Sequence, residues 1–167
     1  MSNHALLVID VQKYYINENT KDLPRMIENF IKQNKFDFVL FTKFINNKNS
    51  NMYRVFQWDH MMNPADTGLC DNLIQFVQND NVFTKDTYSA FKSEPFRYFL
   101  KINNIGELTL CGFDTDACVL ATAYEGFDLG YKIHVIDDLT SSHSGGDFRK
   151  FGLGIINKNL QKVESNN

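Results

Sequence analysis

The pattern of apolar and polar positions opens with two continuous apolar runs joined by an amphipathic stretch. Residues 5–9 and 38–41 are unbroken apolar runs, which are typical of strands buried on both faces of a sheet. Between them, residues 23–31 repeat apolar side chains at helical spacing, and Pro24 lies in the first turn. This first part of the chain therefore predicts a β-α-β unit.

The same alternation continues towards the end of the chain. The pattern predicts further helices and strands, the helices at 69–77, 94–102, 116–129 and 148–160 and the strands at 81–84, 105–111 and 132–136. Residues 44–67 show no sustained period and predict a long surface loop, a kind of segment that is often functional. Alternating strands and helices predict a three-layer α-β-α fold with a mostly parallel sheet of five or six strands. No composition shift divides the chain, so we expect one domain over residues 1–167.

Composition and charge narrow the class of protein. The net charge of −3 comes from 17 basic and 20 acidic residues spread along the chain, and the sequence has no basic stripe. We therefore expect no nucleic-acid partner. The first residues lack the features of a signal peptide, and no apolar run reaches membrane-spanning length. Cysteines 70, 111 and 118 match no disulfide or zinc spacing. We expect a cytoplasmic protein with reduced thiols and no membrane partner.

Candidate chemistry lies where apolar runs end, because ligands of parallel α/β sheets bind outside the carboxyl ends of the strands. The polar or reactive residues near such ends are Asp10, Lys85, Asp114, Thr115, Cys118 and Asp138. Thr115 is a candidate N-cap that would make Cys118 the third helical residue, where free amides and the helix dipole favour a thiolate. A carboxylate such as Asp10 could accept the thiol proton, and Lys85 would stabilise the thiolate.

Each of these residues also has an ordinary structural interpretation. A cysteine beside Ala117 and Ala121 is often a packed apolar side chain. An aspartate after a strand is commonly a cap, and a lysine such as Lys85 is commonly a solvated edge residue. Spacing alone does not bring Asp10, Lys85 and Cys118 together.

Three ordered blocks of sequence carry a more specific signal. Residues 5–12 read Ala-Leu-Leu-Val-Ile-Asp-Val-Gln, residues 83–91 read Phe-Thr-Lys-Asp-Thr-Tyr-Ser-Ala-Phe, and residues 111–119 read Cys-Gly-Phe-Asp-Thr-Asp-Ala-Cys-Val. These blocks resemble the signatures of the isochorismatase-like hydrolases, which include nicotinamidases, carbamoylsarcosine amidohydrolases and isochorismatases. The resemblance covers nearly the whole chain and implies an isochorismatase-like, Rossmann-like fold.

The resemblance also implies roles for individual residues. Asp10 would be the general base, Lys85 its electrostatic partner, and Cys118 the nucleophile that forms a thioester. The family places a cis peptide before the nucleophile helix, here between Phe113 and Asp114. That bond would set the amide of Asp114 beside the amide of Cys118 as an oxyanion hole. A homodimer or homotetramer is expected on the same ground.

The resemblance is weakest around metal binding. Nicotinamidases of the family carry an Asp-x-His motif after the second strand, whereas this chain reads Thr-Lys-Phe-Ile-Asn at residues 42–46. Asp59 and His60 are adjacent and supply no third ligand, and we interpret them as a loop pair. We interpret His4, His134 and His143 as an N-terminal, a strand and a loop histidine without a role in metal binding. We therefore predict no catalytic metal and no cofactor.

The substrate is expected to be a small molecule that binds in an aromatic pocket. The residues predicted to line it are Tyr14 or Tyr15, Phe44, Trp58, Tyr88 and Phe91. Asp114 and Asp116 would disfavour anions, so a neutral or cationic amide with a scissile C–N bond is the expected substrate. The alternatives are vinyl-ether hydrolysis of the isochorismatase type, a non-enzymatic redox or binding protein with a low-pKa Cys118, and a flavodoxin-like phosphate or flavin binder.

Overall fold

A parallel five-stranded sheet forms the centre of the molecule within residues 2–160, the part of the chain that the computed structural model describes. The strands are β1 (Asn3–Ile9), β2 (Phe38–Phe44), β3 (Val82–Lys85), β4 (Ile105–Phe113) and β5 (Lys132–Ser141). Their order across the sheet is β3-β2-β1-β4-β5, and every neighbouring pair is parallel. The predicted α/β class and strand count are confirmed. Residue 1 and residues 161–167 of the predicted single domain lie outside the described range.

Helices connect the strands. They are α1 (Leu23–Gln33), α2 (Asn51–Phe56), α3 (Pro64–Thr67), α4 (Asp71–Ile74), α5 (Glu94–Ile102), α6 (Leu120–Asp128) and α7 (Gly146–Asn159). Short 3₁₀ turns occur at Lys13–Tyr15 and Ala90–Lys92, and a π-helical turn at Thr115–Val119 precedes α6. Among residues 2–160, no helix is long and apolar enough to cross a membrane.

The three layers follow from the alternation of side chains along β1. Ala5, Leu7 and Ile9 point into an apolar cluster that also contains side chains of α5, α6 and α7. Leu6 and Val8 point into the opposite cluster, which contains the buried face of α1. Both faces of the central strand are therefore covered, which is why its sequence is a continuous apolar run.

Two predicted boundaries near the sheet's carboxyl edge are wrong. The predicted strand 132–136 continues to Ser141, because β5 resumes its pairing with the end of β4 after a register shift, with Gly112 opposite Thr140. Asp138 therefore lies inside β5 with an exposed side chain and does not belong to the site. The predicted helix 69–77 shortens to α4.

The long loop after β2 is closed by one buried asparagine. The side-chain amide of Asn46 donates to the carbonyls of Trp58 and His60, and its backbone amide donates to the carbonyl of Met61. Asn46 thus joins the two ends of the segment that contains α2. This closure places α2 and Trp58 at the carboxyl edge of the sheet, next to the site described below.

Candidate active site

The structure brings Asp10, Lys85 and Cys118 together at the carboxyl edge of the sheet. Lys85 Nζ lies 2.6 Å from Asp10 Oδ2, 3.4 Å from Cys118 Sγ and 2.9 Å from the carbonyl oxygen of Thr87. These contacts use the three hydrogens of the ammonium group. The side chains of Asp10 and Lys85 are 0% and 1% exposed, so the ion pair is screened from water.

The Asp10 carboxylate is oriented from a neighbouring strand. Thr42 Oγ1 donates to Asp10 Oδ1 at 2.7 Å, while the backbone amide of Asp10 donates to Thr42 Oγ1 at 3.2 Å. Asp10 adopts a left-handed backbone conformation with φ of 51° directly after β1. Such conformations are uncommon for residues other than glycine and often occur at functional sites.

Burial dominates the electrostatics of the nucleophile. It raises the pKa of the Cys118 thiol above its ordinary value, and the opposing charge of Lys85 does not reverse that direction. Burial also acts to lower the pKa of Lys85, but the charges of Asp10 and Cys118 outweigh it and the pKa is raised. The thiolate expected from helix position is therefore not favoured at rest. The raised pKa values favour a neutral Cys118 thiol beside a protonated Lys85 ammonium group.

The start of the nucleophile helix also differs from expectation. The peptide bond between Phe113 and Asp114 is cis. Asp114, and not Thr115, occupies the N-cap position, since Thr115 is buried and its hydroxyl contacts that of Thr140 at 2.9 Å. The carbonyl of Asp114 accepts from the amides of Ala117 and Val119, the residues on either side of Cys118. Cys118 is thus the fourth residue of a π-helical turn, not the third of an α-helix.

A cavity of about 350 Å³ opens onto Cys118. Most of its wall is aromatic or apolar, and its lining includes Tyr15, Phe44, Met52, Phe56, Trp58 and Tyr88. The predicted lining residues Tyr15, Phe44, Trp58 and Tyr88 all belong to it. Tyr14 is outside the lining and packs its ring 5.8 Å from that of Trp58.

Phe91 was expected in the pocket, and this prediction is wrong. Its ring is fully buried in the core that α5 and α6 share, 5.4 Å from the ring of Phe96 and 5.1 Å from that of Tyr131. Ser89 caps the 3₁₀ turn at Ala90–Lys92 by accepting from the Phe91 amide, and Phe91 packs in the core without lining the cavity.

His143 is a site residue that the sequence interpretation missed. It lines the cavity together with Ser144, in the loop after β5. Its ring Nδ1 lies 2.5 Å from Asp114 Oδ2, and this hydrogen bond raises the pKa of the imidazole. A weak signal was available, because His143 follows the end of a strand whose length was underestimated.

The family model of the isochorismatase domain matches residues 4–166. The chain belongs to the isochorismatase family. This membership confirms the family resemblance carried by the three sequence blocks.

Individual members of the isochorismatase family support the same conclusion at different levels. Isochorismatase domain-containing protein 2 of Xenopus laevis is 37% identical over 71 residues, which cover 42% of this chain and 34% of that protein. The match therefore spans about a third of this relative's length. The structure of an isochorismatase-like hydrolase from Alkaliphilus metalliredigens has a TM-score of 0.82 at 21% identity and covers 96% of this chain and 93% of that one. A pyrazinamidase/nicotinamidase from Streptococcus mutans has a TM-score of 0.80 at 22% identity, with 94% and 97% covered. Both structures show the isochorismatase-like fold.

The described residues of this isochorismatase-family chain contain no metal-binding cluster but do form a second cavity besides the one at Cys118. Within residues 2–160, no group of three or more His, Cys, Asp or Glu side chains is placed to hold a metal ion. A larger groove of about 720 Å³ lies near the start of β2 and α5, and its lining includes none of Asp10, Lys85 and Cys118. The smaller cavity at Cys118 is therefore the candidate substrate site.

A matched pair of glycines in α7 tests how this family member supports its nucleophile turn. A Cβ on Gly152 would lie 2.9 Å from the backbone of Thr115 and Asp116, whereas a Cβ on Gly154 meets nothing within 4 Å. We expect Gly152→Ala to destabilise the protein by about 1–3 kcal/mol, because backbone atoms must shift. Gly154→Ala should stabilise it by about 0.5–1 kcal/mol through lower chain entropy and higher helix propensity. Urea unfolding followed by circular dichroism measures both, and equal effects would contradict the close packing.

Proposed function

We propose that this chain is a cysteine hydrolase that cleaves the C–N bond of a small amide through a thioester on Cys118. The observation that carries the proposal is the position of one buried ammonium group, Lys85 Nζ, within contact of both the Asp10 carboxylate and the Cys118 sulfur. A base, a cation and a nucleophile that share one dry site are what thiol-based acyl transfer requires.

In the proposed reaction, Asp10 accepts the proton of Cys118 while the sulfur attacks the amide carbonyl carbon. The protonated Asp10 then gives this proton to the leaving nitrogen as the C–N bond breaks, and an acyl thioester remains on Cys118. Asp10 next accepts a proton from a water molecule that attacks the thioester. The carboxylic acid product leaves as the proton returns to the sulfur.

The raised pKa of Cys118 fits this sequence of proton transfers. A neutral thiol needs a base only when the carbonyl carbon is in place, and the Asp10 carboxylate is oriented by Thr42 and Lys85. Lys85 remains protonated throughout and stabilises negative charge on the sulfur. The backbone amides of Asp114 and Cys118 are the proposed donors to the tetrahedral oxyanion.

The shape and charge of the cavity favour a compact, flat amide. About 350 Å³ bounded by Tyr15, Phe44, Trp58 and Tyr88 suits a small ring or short side chain beside the carbonyl. His143 pairs with Asp114 in the same wall, so Asp116 is the carboxylate that disfavours an anion, and the proposed substrate is neutral or cationic. The nicotinamidase named among the structural neighbours acts on such an amide, which supports this proposal without identifying the substrate.

A screen of small aromatic and aliphatic primary amides tests the proposal. We expect the wild-type protein to release ammonia from at least one of them, and Cys118→Ala to lose at least about 1,000-fold in rate, because a triad whose members act as a unit fails when one is removed. Cys118→Ser changes the side-chain shape less than Cys118→Ala does and controls for packing. Rapid acid quench and mass spectrometry should detect an acyl adduct on Cys118 only in the wild type. Turnover that persists in Cys118→Ala would refute the proposal.

Four further expectations accompany this proposal. A cytoplasmic location and a homodimer or homotetramer remain predictions from sequence and resemblance. The absence of a catalytic metal and of a cofactor also stays a prediction.

A further inference from the structure

His143 and Asp114 form a two-point contact that the triad does not account for. The backbone amide of His143 donates to Asp114 Oδ1 at 2.9 Å, while its ring Nδ1 contacts Asp114 Oδ2 at 2.5 Å. Both carboxylate oxygens are therefore occupied by one residue that lies 29 positions later in the chain. The Asp114 side chain is only 11% exposed, so solvent competes little for it.

His143 is itself held in place from the N-terminal side of the fold. The side chain of Asn17 donates to the His143 carbonyl at 2.8 Å, and the Tyr15 ring packs 5.3 Å from the imidazole. The loop after β5 is thus tied to the loop after β1. Contacts at its backbone, its ring and its Nδ1 hold His143 in one place, so His143 is well suited to position a neighbouring side chain.

The carboxylate that His143 holds belongs to the residue at the start of the nucleophile turn. Asp114 follows the cis peptide bond, and its carbonyl accepts from Ala117 and Val119 on either side of Cys118. Rotation of the Asp114 backbone would move both its own amide and the turn that carries the sulfur. Small displacements of oxyanion donors reduce rates strongly, because these donors act only when aimed at the developing charge.

We propose that His143 is a positioning residue for the oxyanion site: by clamping the Asp114 carboxylate, it holds the Asp114 backbone amide in the orientation that receives the tetrahedral oxyanion. This inference rests on the proposed amide hydrolysis. It deepens that proposal by assigning a role to a residue outside the Asp10–Lys85–Cys118 set.

The contact does not depend on the positive charge of the ring. The hydrogen bond to Asp114 and the nearby Asp116 raise the pKa of His143, so the imidazolium form extends to higher pH. A neutral ring with its proton on Nδ1 keeps the same hydrogen bond. The positioning role therefore requires a donor at the Nδ1 position.

Three substitutions at His143 separate positioning from substrate binding. His143→Ala removes the donor, His143→Asn retains a donor near the Nδ1 position, and His143→Gln retains one near the Nε2 position. With the best amide from the screen, we expect His143→Ala and His143→Gln to lower kcat about 10- to 100-fold with little change in KM, somewhat less than deletion of an oxyanion donor. His143→Asn should recover most of kcat.

The rate of Cys118 alkylation by iodoacetamide distinguishes loss of the oxyanion site from general damage to the active site. General damage would lower this rate, whereas loss of the oxyanion donors alone would not. Attack on the saturated carbon of iodoacetamide forms no oxyanion, so it needs the triad but not the oxyanion donors. We expect the alkylation rate of His143→Ala to stay within about twofold of wild type while its amide turnover falls. His134→Ala, a half-exposed histidine of β5, is the matched control and should change neither rate.

A double-mutant cycle with Asp114→Ala completes the test. If His143 acts through the Asp114 carboxylate, the double variant should be no slower than the slower single variant, because both remove the same clamp. Additive losses, a recovery by His143→Gln and not by His143→Asn, or a parallel fall in alkylation would each overturn the inference. Failure of the proposed function itself would instead appear as Cys118-independent turnover or as no turnover by wild type.

Discussion

Asp10→Ala is expected to abolish amide turnover and to destabilise the fold by about 3–5 kcal/mol, because it leaves the buried Lys85 ammonium without its counter-ion. Lys85 is 1% exposed at its side chain, so water is a poor replacement for the lost carboxylate. The catalytic loss follows separately, since no other carboxylate touches both Lys85 and the nucleophile region among the described residues. Urea unfolding measures the first effect and the amide assay measures the second.

Asp10→Asn separates these two consequences. The amide oxygen can still accept from Lys85 while its NH2 group faces the Thr42 hydroxyl, so we expect a smaller stability loss than for alanine, but the amide cannot serve as a base and turnover should still fall by about 100- to 10,000-fold. Glu125→Ala breaks an ion pair with Lys92 that is largely exposed on the lysine side, and it should cost no more than about 1 kcal/mol. Equal stability losses for Asp10→Ala and Glu125→Ala would contradict the expectation that the buried Lys85 ammonium needs its counter-ion for stability.

Gly112→Ala is expected to destabilise the protein by about 2–5 kcal/mol, from a strained backbone and a clash between strands. Gly112 has φ of 113°, and a Cβ there would lie 2.1 Å from the carbonyl oxygen of Ile9. The contacted oxygen belongs to the backbone and the position of a Cβ is fixed by its own backbone, so no side-chain rotation relieves the contact. Because Ile9 precedes Asp10, and Gly112 lies two residues before Asp114, the shift would also disturb the catalytic edge and lower activity.

Gly130→Ala provides the control for conformation alone. Gly130 has φ of 88°, but a Cβ there meets nothing within 4 Å. We expect it to cost about 1–2 kcal/mol and to leave activity unchanged. If Gly112→Ala were no more destabilising than Gly130→Ala, the close approach of β1 and β4 would not be a constraint on this site. Thermal and urea unfolding distinguish the two cases.

The fold class was predictable because strands and helices are local patterns. The apolar runs that became β1, β2 and β4 are buried on both faces, so their sequences carry little polar interruption. Boundaries were less reliable where pairing with a neighbour decides the strand end. β5 extends to Ser141 only because it meets the end of β4, and this extension removed Asp138 from the site.

Single residues near the pocket also show which features local sequence predicts and which the tertiary structure decides. Tyr15, Phe44 and Tyr88 follow or end elements at the carboxyl edge, and all three line the cavity at Cys118. Phe91 follows the same block of sequence, yet a capped turn sends it into the core. Aromatic side chains suit both environments, so chemistry alone does not distinguish them.

Local sequence specified the alternating elements, and the three sequence blocks indicated the family and the candidates Asp10, Lys85 and Cys118. Only the folded chain decided that these side chains meet, that burial raises the pKa of the Cys118 thiol, and that His143 contacts both carboxylate oxygens of Asp114. The physical reason is distance along the chain. Residues 75 and 29 positions apart contact each other through sheet order and loop closure, and the pKa of a thiol depends on how completely neighbours exclude water.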